Sequence, residues 1–118
     1  MTELSGNDII RLSRGDTVSF KFVINIGSKS ELKMYKYKLR PSDALYFGVM
    51  EPRTFFEDAI IRKRYTNDDL NPDGSVTITV DAVDTLRLEP GVYYYEIKLK
   101  TPAGVKTLVT KKKFVIGE

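Results

Sequence analysis

The chain has 118 residues, of which 42% are hydrophobic and 30% charged. That length and balance fit one domain with one core and a well-solvated surface. Cysteine, histidine and tryptophan are all absent, which excludes disulfides and thiolate metal sites and removes the commonest general base and imidazole ligand. The net charge is +3, with basic and acidic residues interleaved along the chain. A strongly nucleic-acid-directed domain usually segregates them, so nucleic acid is a disfavoured partner. Met1 to Gly6 shows no basic region followed by an apolar run. No apolar stretch approaches the roughly 18 residues needed to cross a bilayer. The expectation is a protein made in the cytoplasm, without signal peptide or membrane partner.

Arg14-Gly15-Asp16 spells the tripeptide that integrins read, but Gly and Asp here also suit a turn ahead of a strand. Val18, Phe20, Phe22, Ile24 and Ile26 alternate with Ser19, Lys21 and Asn25, Val23 being the exception, and predict a half-buried strand ended by Gly27-Ser28. Tyr35, Tyr37 and Leu39 alternate with Lys36, Lys38 and Arg40, and the tyrosines are expected to pack inward. After the Pro41-Ser42-Asp43 turn come Leu45, Phe47 and Val49, then the β-branched and basic run Ala59 to Tyr65. Asn67 to Asn71 and Asp81 to Leu88 each suit a short helical turn. Between them, Val76, Ile78 and Val80 alternate with Thr77 and Thr79. Tyr93, Tyr95, Ile97 and Leu99 alternate with Tyr94, Glu96, Lys98 and Lys100. Pro102-Ala103-Gly104 is read as a hairpin loop, and Val105 to Ile116 as the closing strand. About seven or eight short strands with frequent turn signals predict an all-β, immunoglobulin-like antiparallel β-sandwich. One domain spans 1–118, with its core at about 9–116.

Several segments invite functional readings. In Leu88-Glu89-Pro90-Gly91-Val92-Tyr93-Tyr94-Tyr95, Tyr93 stands where immunoglobulin-like sandwiches place a corner tyrosine whose hydroxyl bonds back to upstream backbone. Gly91, Tyr93 and Tyr95 are therefore read as fold-determining, and Gly91 is expected at positive φ. Asp69, Asn71 and Asp73-Gly74 match the first half of a calcium loop. The bidentate acid that such a loop needs at its twelfth position is Val80, so the segment reads better as a turn launching a strand. Lys33, Tyr35, Lys36, Tyr37, Lys38 and Arg40 interleave cations with rings, as in a single-strand nucleic-acid platform. An edge strand guarded by lysines accounts for them better. Lys111-Lys112-Lys113 must point to both faces of a strand, so that stretch is expected to be solvated or to lie past the core. No nucleophile elbow, phosphate-cradling loop or zinc spacing is present, which points away from an enzyme. No cofactor or metal is expected.

The run Val76 to Val80, Asp84-Thr85, Leu88 and Pro90-Gly91-x-Tyr93-x-Tyr95-Glu96-Ile97 resembles the N-terminal immunoglobulin-like domain of tailed-bacteriophage baseplate upper proteins and related small prophage tail proteins. Arg14 to Thr17 with its following strand, and Ala44 to Pro52, fit the same pattern, so the likeness runs from about Ile9 to Ile116. The resemblance implies a virion structural part that docks through sheet edges and exposed loops, with other tail or baseplate proteins as partners. Symmetric self-association into a homo-oligomer is compatible with it. Outward-facing tyrosines suit such contacts, because they offer area at low entropic cost. Tyr94, opposed to the Tyr93–Tyr95 face, and Tyr46, opposed to Leu45 and Phe47, are the contact candidates, together with Lys36 and Lys38. The alternative is a carbohydrate- or cell-surface-binding sandwich, for which aromatics clustered with Asp or Asn at loop tips are the expected sign.

Overall fold

Period-two burial lays out ten strands in the computed structural model, which describes residues 2–4, 9–28 and 33–118. In chain order they are β1 (Thr2–Leu4), β2 (Ile10–Ser13), β3 (Val18–Phe22), β4 (Asn25–Ser28) and β5 (Lys33–Lys36), then β6 (Ala44–Met50), β7 (Ile61–Tyr65), β8 (Val76–Val80), β9 (Gly91–Thr101) and β10 (Gly104–Gly117). A 3-10 turn at Phe56–Asp58 precedes β7, a second at Asn67–Asp69 follows it, and a short helix α1 (Ala82–Leu86) links β8 to β9. One sheet has the order β1-β3-β8 and the other β2-β10-β9-β6-β7, while β4 and β5 pair with each other. Phe20, Phe22, Val76, Ile78 and Val80 of the first sheet share one apolar core with Leu45, Phe47, Val49, Tyr95, Ile97 and Leu99 of the second. The fold is an all-β sandwich, with the last strand inserted between the edge strand β2 and the penultimate strand β9.

Two pairings are parallel rather than antiparallel: β1 with β3 and β2 with β10. The start of the chain lies in one sheet at β1 and in the other at β2. The strand count exceeds seven or eight because of these two segments and because the stretch from Val18 to Ile26 is divided. Its alternation of buried side chains continues through Ile24, but the ladder changes partner. Residues 18–22 pair with β8, and residues 25–28 pair with β5. Side-chain periodicity records which face is apolar and is blind to a change of hydrogen-bond partner.

The corner has the expected geometry. The Tyr93 hydroxyl donates to the Glu89 carbonyl at 2.7 Å, and Gly91 has φ +157° with open space where a Cβ would stand. Tyr95 is buried against Phe47, with ring centroids 5.7 Å apart. Because the Tyr93 bond lies at an exposed position, Tyr93→Phe should cost only about 0.5–1 kcal/mol, read as a lowered denaturation midpoint.

The central strands of the larger sheet are also covered from outside. Phe56 lies on β6 at Gly48, where an added Cβ would come within 2.8 Å of the Phe56 ring and 3.2 Å of the Ala59 Cβ. Arg62 donates Nε to the Ala59 carbonyl at 3.0 Å and a second guanidinium N–H to the Glu57 carbonyl, tying residues 56–59 down as a strap. Gly48→Ala should lift the strap and cost about 1–3 kcal/mol, measurable by chemical denaturation.

An ion pair joins β7 to the helix between the sheets. Lys63 Nζ lies 2.7 Å from Asp84 Oδ2, and Asp84 also accepts the Asp81 backbone N–H at 3.1 Å in a reciprocal capping box at the start of α1. Burial opposes ionisation of Asp84, but Lys63 and the cap outweigh it and hold the carboxyl below its ordinary range. Burial likewise opposes the charged form of Lys63, and the two aspartates overcome it, so its pKa is raised. The carboxylate contribution is complete above the unfolded value near pH ~4 and fades as pH falls through the lower folded value. The ammonium contribution is complete below about pH 10 and fades as pH rises through the raised folded value. Asp84→Asn should flatten the acid limb of a stability–pH curve and cost about 1 kcal/mol at neutral pH.

Candidate functional site

The outer face of the five-stranded sheet carries both tyrosines singled out from the sequence. Leu45 and Phe47 are buried in the sandwich, and Tyr46 on the opposite side of β6 is half-buried. Tyr94 likewise opposes Tyr95 across β9. Register places Tyr46 beside Lys98 and Met50 beside Tyr94, with the Gly48–Glu96 row between them. The Phe56 strap crosses at that middle row, so the two tyrosines stand on either side of it rather than in one patch. Tyr46 accepts a long bond from Arg64 Nε at 3.4 Å, and Lys98 Nζ sits 5.0 Å from the Phe56 ring centroid.

Tyr94 has the more developed surroundings. It lines a cleft of about 450 Å³ with Met50, Arg53, Thr54 and Lys111. Beside it along the sheet, Val92 pairs with Val115, which pairs in turn with Arg11 of β2. Val92 and Ile9 are 45% and 49% exposed, and Phe55 on the strap is 67% exposed. The patch is mixed: Val92 and Val115 lie in a row with Arg11, Lys113 pairs directly with Tyr94, and the exposed cations Arg53 and Lys111 line the cleft beside it. Glu51 is the one acidic side chain lining the cleft.

Backbone geometry singles out the same place. Among the described residues, two non-glycine residues have positive φ, Arg53 at 66° and Lys111 at 34°, and both line the Tyr94 cleft. Such conformations are uncommon outside glycine, and they collect at binding and switch regions. Lys111 owes its position to a bulge. Val109 pairs with Ile97 and Lys112 with Tyr95, so Thr110 and Lys111 together oppose Glu96. A bulge re-aims side chains and bends the strand, which turns Lys111 toward Tyr94. From the sequence the three lysines read only as solvated, and nothing in their spacing marked the bulge.

Lys36 and Lys38 lie elsewhere. Lys36 ends β5 opposite Asn25, and the Lys38 stem runs within 3.6 Å of the Gly74 Cβ position. They line a small depression next to Pro72-Asp73-Gly74 and are not brought together with Tyr46 or Tyr94. The expectation of inward tyrosines on this segment holds for Tyr37, which packs against the core beside Leu39, and needs correcting for Tyr35, which is 45% exposed on the separate β4–β5 pair. Tyr37 gives its hydroxyl to Asp43 Oδ2 at 2.5 Å, and Arg40 covers its ring at 5.6 Å. The run thus offers no row of free rings for stacked bases. The Lys33 side chain lies outside the described residues.

The remaining motifs are absorbed by local structure. In Arg14-Gly15-Asp16, Asp16 accepts the Ser13 N–H at 3.0 Å. Arg14 Nε donates to the Leu86 carbonyl at 3.0 Å, and the Gly15 N–H donates to Thr85 Oγ1 at 2.9 Å. Gly15 has φ +89°, so the tripeptide is a turn fastened to α1. Asp69, Asn71 and Asp73 do not converge on a common point. Asp69 caps its own turn through the Thr66 N–H, Asn71 Nδ2 donates to Ser75 Oγ and Thr77 Oγ1, and Asp73 Oδ1 accepts from Ser75. Lys21, the first influence on Asp73, and the Ser75 bonds hold that carboxyl well below its usual range.

A second cleft, of about 540 Å³, opens at the end of the sandwich between the 101–106 hairpin and the 37–43 segment. Asp43 lines it and is 3% exposed. Among the described residues, no helix is long and apolar enough to cross a membrane. No protein-family model matches the chain, and no curated protein matches it.

Proposed function

We propose that this protein is a structural assembly module of a phage or prophage tail or baseplate, docking through the outer face of its five-stranded sheet. The observation that carries the docking surface is the exposed patch in which Val92, Tyr94 and Val115 stand among the cations Arg11, Arg53, Lys111 and Lys113. The phage setting rests on the sequence resemblance from about Ile9 to Ile116. Aromatic and aliphatic side chains at the middle of such a surface supply most of the binding energy, and the charged periphery sets orientation and rate. The cations select a partner with an acidic surface, either a second tail component or an acidic face of another copy.

Light scattering on the chain, alone and mixed with the tail proteins encoded beside it, should show a mass above the 13.5 kDa of one chain. Tyr94→Ala should weaken that association by about thirtyfold, a loss of roughly 2 kcal/mol, without lowering the melting temperature. Lys111→Glu should weaken it and reduce its salt sensitivity. A strict monomer that binds none of those proteins would end the reading.

A further inference from the structure

The strap on the outer sheet face holds out an aromatic ring that the fold leaves uncovered. Phe55 is 67% exposed, although Phe56 beside it is seated on β6 at Gly48. The mount is firm. Arg62 grips the Ala59 and Glu57 carbonyls, and the Ala59 N–H donates to the Phe56 carbonyl at 3.1 Å. A ring mounted in this way needs little further ordering when a partner buries it. Glu57 and Asp58 follow Phe55 and are both exposed. Among the described residues neither carboxylate has an ion-pair partner. Arg53, the exposed cation on the same connection, lines the Tyr94 cleft instead.

The hairpin end of the sandwich carries the converse features. The cleft of about 540 Å³ there is lined by Ile26, Tyr37, Leu99 and Pro102, with Arg40 and Lys106 also on its walls. Both cations are exposed, and among the described residues neither has an ion-pair partner. Asp43, the carboxylate of the same lining, is 3% exposed and accepts from the Tyr37 hydroxyl and the Arg40 backbone N–H. The cleft has the size of sites that enclose apolar groups, roughly 300–1,000 Å³. An apolar opening flanked by two cations matches, in shape and in charge, a projecting ring followed by two carboxylates.

The ring and the cleft do not meet within one chain. The strap is fixed over the Gly48–Glu96 row, and the cleft opens beyond the Ala44–Lys100 row, roughly 13 Å further along the sheet. We propose that this protein associates head to tail with further copies of itself, the Phe55 ring of one copy entering the hairpin-end cleft of the next while Glu57 and Asp58 meet Arg40 and Lys106. The contact joins two different surfaces, so it is heterologous and builds a ring or a filament rather than a two-fold pair. It is small, and it holds best where copies are already arrayed side by side. It shares no residue with the Tyr94 patch and leaves that patch free for another partner.

Analytical ultracentrifugation of the chain, from micromolar to millimolar concentration, tests this. The average mass should rise above that of one chain as concentration increases, and added salt should lower it. Phe55→Ser should weaken the association at least tenfold, and Arg40→Ser combined with Lys106→Glu should do the same. All three positions are exposed, so both variants should keep the parent melting temperature. Mixed in equal amounts, the two variants should form a species of two chains and nothing larger, because only one intact ring and one intact cleft then meet. A single-chain mass at every concentration, association that survives Phe55→Ser, or a mixture that stays monomeric overturns the proposal. Association lost in Tyr94→Ala and kept in Phe55→Ser overturns it while supporting the docking surface, so the two readings fail separately.

Discussion

The structure depends on the need of β6 and β9 to bury side chains on both faces. Leu45, Phe47, Val49, Tyr95, Ile97 and Leu99 face the shared interior. Met50 and Glu96, on the other side, are also buried. A five-stranded sheet cannot be dry on its outer face without a cover, and the connection between β6 and β7 supplies it. It folds back as the Phe56 strap, and Gly48 is the residue that lets the ring reach the sheet. A side chain at that position would contest the space with aromatic carbon, and overpacking of this kind is costly.

That cover decides what the surface can do. It separates Tyr46 from Tyr94 and leaves the Tyr94 side open next to Val92 and Val115. The strap ends and the β10 bulge are where the two left-handed non-glycine residues, Arg53 and Lys111, occur. Both bring a cation to the edge of the same cleft. Local strain of this kind persists only where the surrounding packing holds it, and here the doubly buried sheet supplies the hold. The same larger sheet, at the other end of β9, opens toward the Asp43 cleft, so the two candidate surfaces share a rigid support without sharing residues.

Much of the framework was legible in the chain. The alternation in Val76 to Val80, Leu45 to Val49 and Tyr93 to Leu99 identified strands that the fold contains, and Pro90-Gly91 with Tyr93 placed the corner correctly. Asp81 caps, and Asp84 sits in the first turn of, the short helix that Asp81 to Leu88 suggested. Other features left no trace at the level of pattern. The Ile10–Ser13 strand is short, and half of its side chains are solvated, so its period is lost among turn residues. The division of Val18 to Ile26 keeps its alternation and changes only its backbone partner. The exposure of Tyr35 goes with the pairing of β5 to β4 alone, outside the two larger sheets.

The sequence by itself determined the all-β class, the inward face of each long strand and the tight turns. These follow from side-chain period and from the dihedral preferences of Gly, Pro and Asp, which act within a few residues. Only the tertiary structure decided which cations lie beside Tyr94, that Gly48 admits Phe56, and that Tyr37 and Arg40 both donate to Asp43. The first two are set by groups meeting across a sheet or a bulge and the third by the directions of side chains around one turn, and no side-chain period records such meetings.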